Sequence, residues 1–149
     1  RTRVGHSFIK AQMREENAIF GGEHSGHFYF RDFWFADSGL IAFLVCWQLI
    51  SEEAKPLSQL VAGIDHYFRI PETNSTVSDI KAKLEQLEEV YRNKGAQLDL
   101  LDGLTISYPD WWANIRPSNT EPLLRLNIEA NGEALLEEKR RELLSIIRK

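Results

Sequence analysis

A chain of 149 residues with 43% hydrophobic and 27% charged content has the make-up of a globular protein with one good core or two small ones. Its formal net charge of -4 at pH 7 argues against a nucleic-acid partner, which would call for a basic face. The lone Cys46 excludes an internal disulfide and, with no secretory signal in view, a reducing cytoplasmic setting is expected, the sequon at Asn74 being read as chance.

The chain opens at Arg1 without Met, in what reads as the end of a strand, so a processed or excised piece is expected rather than a native start. A helix is expected over residues 6–16 and a short strand over residues 18–20. That strand leads into Gly21-Gly22-Glu23-His24-Ser25-Gly26-His27, the first candidate site. A carboxylate can accept hydrogen bonds from two neighbouring hydroxyls, and Ser25, His24 and His27 can donate or accept as a sugar requires. The glycines let the backbone approach a ligand. No Cys and no third spaced His completes a zinc pattern, so no metal is assigned to the chain. The same stretch also reads as a Gly-rich turn with incidental histidines. The aromatics Phe28, Tyr29, Phe30, Phe33, Trp34 and Phe35 are read as packing, within the first domain or at a domain interface.

The apolar run over residues 40–50 is too short for a membrane span, which takes ~20 residues. It is read as a buried helix starting near Asp37-Ser38, with another helix over residues 56–64. The segment 70–75, with Pro71 and polar neighbours, punctuates the chain. The domain boundary is placed at about residue 66, giving domains 1–66 and 67–149.

Val77, Ile80, Leu84, Leu87 and Tyr91 then recur at three- and four-residue spacing, the stripe of an amphipathic helix that packs a core or, alternatively, a coiled-coil partner. Thr76 with Asp79 has capping-box spacing, and Gly95 is placed to end the helix. Strands over residues 98–101 and 104–108 flank the hairpin signal Asp102-Gly103. Two further strands, residues 111–115 and 123–130, enclose Arg116-Pro117-Ser118-Asn119-Thr120-Glu121-Pro122, the second candidate site. Its guanidinium matches phosphate oxygens bidentately, the side chains of Ser118, Asn119 and Thr120 add donors, and a tight turn aims backbone N–H groups into the same concavity. Arg125 supplies further positive charge. An ordinary polar hairpin turn is the plainer alternative.

In the strand that follows, Leu124, Leu126, Ile128 and Ala130 alternate with Arg125, Asn127 and Glu129, so one face is buried and the other polar. A last helix is expected over residues 132–147, with Leu136, Leu143 and Ile147 inward and the run 137–142 as a solvated face. One of Trp111 and Trp112 points into the core, and neither is assigned a ligand. The expected architecture is α/β followed by α+β: a partial α/β domain, then an antiparallel sheet of about four strands covered by two helices.

Taken together these pieces resemble the alpha-D-phosphohexomutase superfamily, and within it the phosphomannomutase/phosphoglucomutase enzymes. The match runs through residues 2–10, residues 22–27, Tyr29-Phe30-Arg31-Asp32, Asp37-Ser38-Gly39-Leu40, then residues 116–122 and Arg125. The resemblance implies that Glu23, Ser25, Gly26 and His27, with His24 and His6 nearby, contact sugar hydroxyls in a third mutase domain. It implies that Arg116, Pro117, Ser118, Asn119, Thr120 and Arg125 hold the non-transferred phosphate in a fourth. Relatives selective for glucosamine phosphate often carry Gln at the position of His24, so mannose or glucose phosphates are favoured, with phosphoglucosamine mutase as the competing activity.

The family's phosphoserine loop, Thr-Ala-Ser-His-Asn-Pro-like, does not occur in this sequence, and neither does its magnesium loop, Asp-Gly-Asp-Gly-Asp-Arg-like. Ser7 beside His6 matches no family nucleophile. The resemblance therefore implies the substrate-recognition half of a mutase. The Mg2+ would sit in a missing amino-terminal domain, the partners would be that domain and a hexose phosphate, and this stretch alone would be inactive. A free-standing sugar-phosphate-binding module and a scaffold domain that has lost its ligand are the rival classes.

Overall fold

A computed structural model describes residues 1–118 and 121–149. The chain divides into two compact units, Arg1–Asp65 and His66–Lys149.

The first unit opens with α1 (His6–Glu15), whose apolar residues Ile9 and Met13 stand one turn apart and are both buried. Three short strands follow, β1 (Phe20–Gly22), β2 (Phe28–Phe30) and β3 (Ala36–Asp37), with a 3-10 turn at Arg31–Phe33. They form an antiparallel sheet in that order, with Phe20 opposite Phe30 and Gly22 opposite Phe28. Ile9, Met13 and Tyr29 make the core, with Ala18 and Phe35 against it. The strand expected at residues 18–20 begins two residues later. Asn17 takes a left-handed φ of 51° and the Ala18 N–H still bonds the Met13 carbonyl, so Ala18 belongs to the helix end. The two glycines then lie within β1 instead of after it.

Next come α2 (Gly39–Glu53) and α3 (Leu57–Ala62). Ser38 caps α2, its Oγ accepting from the Ile41 N–H at 3.2 Å. The expectation of a buried helix is corrected: α2 contains no buried residue, and Leu40 and Trp47 are 68% and 62% exposed. Apolar residues occupy every side of this helix, so it lacks the polar face that would mark a self-contained surface helix. Cys46 is exposed as well.

The second unit contains β4 (Phe68–Arg69), β5 (Thr73–Thr76), α4 (Ile80–Asn93), β6 (Gln97–Asp99), β7 (Leu104–Ser107), β8 (Trp111–Pro117), β9 (Leu123–Ala130) and α5 (Glu133–Ile147). The antiparallel sheet has six strands, where about four were expected. Its order is β4-β9-β8-β7-β6, with β5 also paired to β9. Of the two extra strands, β5 begins inside the stretch 70–75 read as punctuation and β4 lies just before it. β4 pairs with residues 129–130 and β5 with residues 123–126, so they form one edge of β9, broken at Pro71 and Glu72. Proline is tolerated at such an edge break, where no ladder donor is required of it.

Asp79 itself caps α4, its Oδ1 accepting from the Ala82 N–H at 2.9 Å. Thr76 cannot do so, because it is paired to Leu123 in β5. Gly95, at φ 76°, ends the helix as expected, its N–H and that of Ala96 bonding the Arg92 and Tyr91 carbonyls. Helices α4 and α5 supply Leu87, Tyr91, Leu136, Leu143, Leu144 and Ile147 to a core with Leu104, Ile106, Ile115, Leu124, Leu126 and Ile128 of the sheet. Each such aliphatic side chain contributes about 1.5–3 kcal/mol by leaving water.

Trp111 is the inward tryptophan, edge-on to Tyr91 and stacked at 5.1 Å on Tyr108. The run 137–142 is only partly a solvated face. Lys139 Nζ lies 5.6 Å from the Trp111 ring centre, and Glu142 accepts from the Tyr91 hydroxyl at 3.0 Å and also pairs with Lys94. Those two residues seal the core edge, whereas the Glu137–Arg140 pair remains on the surface. Among the described residues no helix is long and apolar enough to cross a membrane.

Candidate functional site

The strand register builds the first cluster. β8 and β9 place Arg116 opposite Arg125, and the period of two sends both side chains to the polar face, away from Ile115, Leu124 and Leu126. Two guanidiniums side by side repel unless an anion lies between them. Glu72 provides it. Its Oε2 accepts from Arg116 Nη2 at 3.1 Å and from Asn127 Nδ2 at 3.3 Å, and its Oε1 accepts from Arg125 Nη1 at 3.2 Å. Arg125 Nη2 donates to Ser118 Oγ at 3.2 Å, and the Ser118 N–H bonds the Leu123 carbonyl at 2.9 Å to close the connection. Two cations and one carboxylate leave a local charge of +1. Arg125 Nε is buried with no hydrogen-bond partner among the described residues, so its guanidinium is not saturated.

The Asp102-Gly103 turn props this cluster from behind. A Cβ on Gly103 would stand 2.4 Å from the Ile115 carbonyl oxygen and 2.7 Å from Arg116 Cα, and its φ of 71° is left-handed. Only glycine fits there. Asn114 Nδ2 pins the turn through the Asp102 carbonyl at 2.8 Å. Arg116, Ser118 and Arg125 are thus brought together, and Pro117 is the last residue of β8. Asn119 and Thr120 lie outside the described residues.

The second cluster is the β1–β2 turn. Mutual backbone bonds, Glu23 N–H to the His27 carbonyl and Gly26 N–H to the Glu23 carbonyl, both 2.9 Å, tie it off with Gly26 at φ 86°. The Glu23 side chain is only 11% exposed. Its Oε2 accepts from the Tyr29 hydroxyl at 3.2 Å and lies 3.5 Å from His27 Nδ1, which in turn is 2.9 Å from Ser25 Oγ. Burial first, then the neighbouring Glu23, pushes the Tyr29 phenol pKa up, so the phenol keeps its proton and donates. His24, Ser25, Gly26 and His27 are exposed. His6, the first residue of α1, is exposed too, and among the described residues no hydrogen bond or ion pair joins it to the turn. The two clusters lie in different units.

Sequence reasoning missed Glu72 and gave Tyr29 only a packing role. Tyr29 does pack, but an amphipathic ring can also turn its hydroxyl to a carboxylate at the rim. Among the described residues no group of three or more His, Cys, Asp or Glu is placed to hold a metal ion.

Comparison with known families assigns both units. The model described as phosphoglucomutase/phosphomannomutase, alpha/beta/alpha domain III, matches residues 1–67, and that for the C-terminal domain matches residues 72–145. The chain belongs to the phosphoglucomutase/phosphomannomutase family. Among its mutase relatives, a protein named phosphohexose mutases from Xanthomonas campestris pv. campestris (strain B100) is 43% identical over 98% of this chain. A phosphomannomutase from Methanocaldococcus jannaschii is 42% identical over 100% of it. Each match takes in 33% of the relative, so the chain spans about a third of the length of the curated mutases it matches. The crystal structure of a phosphoglucomutase/phosphomannomutase family protein from Burkholderia thailandensis superimposes with a TM-score of 0.79 at 32% identity, covering 96% of this chain and 31% of that one. In this chain the Glu23–Tyr29 cluster falls in the matched domain III, and the Arg116–Arg125 cluster falls in the matched C-terminal domain.

Proposed function

We propose that this chain is the substrate-recognition part of a phosphohexomutase that interconverts hexose 1-phosphate and hexose 6-phosphate, with mannose or glucose as the sugar. The observation that carries the reading is the pair of sheet-mounted guanidiniums, Arg116 and Arg125, set beside Ser118 with a local charge of +1. Guanidinium forks match phosphate oxygens, and a rigid sheet holds them ready. The sugar hydroxyls would meet Glu23, Ser25, His24 and His27, with His6 in the same role.

On this reading a phosphoserine elsewhere in the parent enzyme transfers phosphate to the sugar. The resulting bisphosphate turns round before a phosphate returns. Separate sugar and phosphate contacts suit that sequence, because binding energy from the remote phosphate positions the reacting end. Phosphoryl transfer depends mainly on such positioning and on charge stabilisation. The magnesium ion of the parent would belong to another domain, with no residue of this chain holding it. The exposed apolar surface of α2 supports a further domain of a cytoplasmic parent as its cover, since patches of this kind mark interaction surfaces.

The test is Arg116→Ala in the complete enzyme. Loss of a charge-assisted fork should raise KM for hexose 1-phosphate by about tenfold to a hundredfold, with the circular dichroism spectrum unchanged. Unaltered kinetics would contradict the assignment.

A further inference from the structure

We propose that Glu72 is a positioning residue for the phosphate seat: it holds the Arg116 and Arg125 guanidiniums in one fixed arrangement, ready for an incoming phosphate. The inference rests on the phosphate reading above and extends it to a residue outside the 116–122 loop.

The sheet fixes Glu72 before any ligand arrives. Thr73 pairs with Leu126, so the alternation places Glu72 across from Asn127 on the polar face, the face of Arg116 and Arg125. The break in the edge strand is held on both sides. The Ile70 N–H reaches the Ile128 carbonyl at 3.4 Å, and Thr73 Oγ1 donates to the Pro71 carbonyl at 3.2 Å. From that anchored backbone the carboxylate takes one hydrogen bond from each arginine and one from Asn127. Glu72 is half-buried, and so are both arginines.

Two consequences follow from the chemistry. Arginine side chains are long and lose much rotamer freedom when a ligand immobilises them, so arginines already held in place bind with less of that loss. A carboxylate also repels a phosphate dianion, so Glu72 does not itself contact the ligand and acts through the two guanidiniums. These effects oppose each other when the charge is removed. Positioning predicts that Glu72→Gln weakens phosphate binding, because one end of the amide offers N–H donors to a guanidinium that needs an acceptor. Charge alone predicts that the same change tightens it.

The experiment is steady-state kinetics on the full-length enzyme with Glu72→Gln, Glu72→Asp and Arg116→Ala, together with inhibition by inorganic phosphate. Expected for Glu72→Gln is a KM for hexose 1-phosphate raised ~tenfold, with kcat changed by less than ~threefold and inhibition by phosphate weakened in parallel. Glu72→Asp keeps the charge on a shorter arm and should restore part of the loss. A Glu72→Gln enzyme with lowered Tm but unchanged KM would make the residue merely structural and overturn the proposal, as would a fall in KM. If Glu72→Gln does not fold, Glu72→Asp decides alone: a raised KM supports positioning and an unchanged one rejects it. Arg116→Ala separates the two levels. A KM that rises for Arg116→Ala but not for Glu72→Gln rejects the role of Glu72 and leaves the phosphate seat standing. If neither variant raises it, both are rejected.

Discussion

The two units treat apolar sequence in opposite ways. In His66–Lys149 the stripe of α4, the inner face of β7 to β9 and the stripe of α5 meet each other, and Leu87, Ile106, Ile115, Leu126 and Leu143 reach 0–1% exposure. In Arg1–Asp65 the most apolar segment, α2, contains no fully buried residue, and the core is confined to Ile9, Met13 and Tyr29 with two neighbours. A stripe specifies which face goes inward and so implies a partner element in the same fold. An all-round apolar helix specifies only that something must cover it. The functional clusters differ in the same sense. The proposed phosphate seat stands on paired strands of seven and eight residues. The proposed sugar turn stands on strands of three.

The contrast is most exposed to failure at the sheet centre. Leu126→Ala removes a side chain that is 1% exposed in β9, and it should cost about 2–5 kcal/mol in urea unfolding of the chain. A cost below ~1 kcal/mol would mean that the second unit is not the tightly packed one.

A smaller effect tests the ionic seal of that core. Burial pushes the Glu142 carboxyl up, but hydrogen bonds from Lys94, Lys139 and Tyr91 outweigh it and hold its pKa below the ordinary 4.5. A group lowered on folding contributes stability that is fully present above its ordinary value and lost as pH falls through the lowered native one. Glu142→Gln should therefore cost about 1 kcal/mol near neutrality, with the difference from wild type shrinking on acidification. A difference that stays constant from neutral to acid pH would remove Glu142 from the seal.

Much of this was legible in the sequence because period is local. The alternation of residues 123–130 and the spacing of Leu84, Leu87 and Tyr91 gave β9 and α4 directly, and Ser38 and Gly95 marked helix ends. Arg116, Ser118 and Arg125 could be grouped because they flank one hairpin. Glu72 could not, since its place opposite Asn127 depends on the register of an edge strand distant in the chain. β4 and β5 were hidden for a related reason: Pro71 reads as an interruption, and only the pairing to β9 shows that strand continues on either side. The exposure of α2 was illegible too, because hydrophobicity does not say where the covering surface comes from.

The central claim is that one cluster recognises phosphate and the other recognises sugar hydroxyls. Amide NMR of this chain during titration with inorganic phosphate, glucose 1-phosphate and mannose 1-phosphate tests it most directly. The account predicts shifts at Arg116, Ser118 and Arg125 with all three ligands, and at Glu23 to His27 only with the sugar phosphates. A folded spectrum in which phosphate leaves Arg116 and Arg125 unmoved, or in which the Glu23 turn responds equally to bare phosphate, would contradict it.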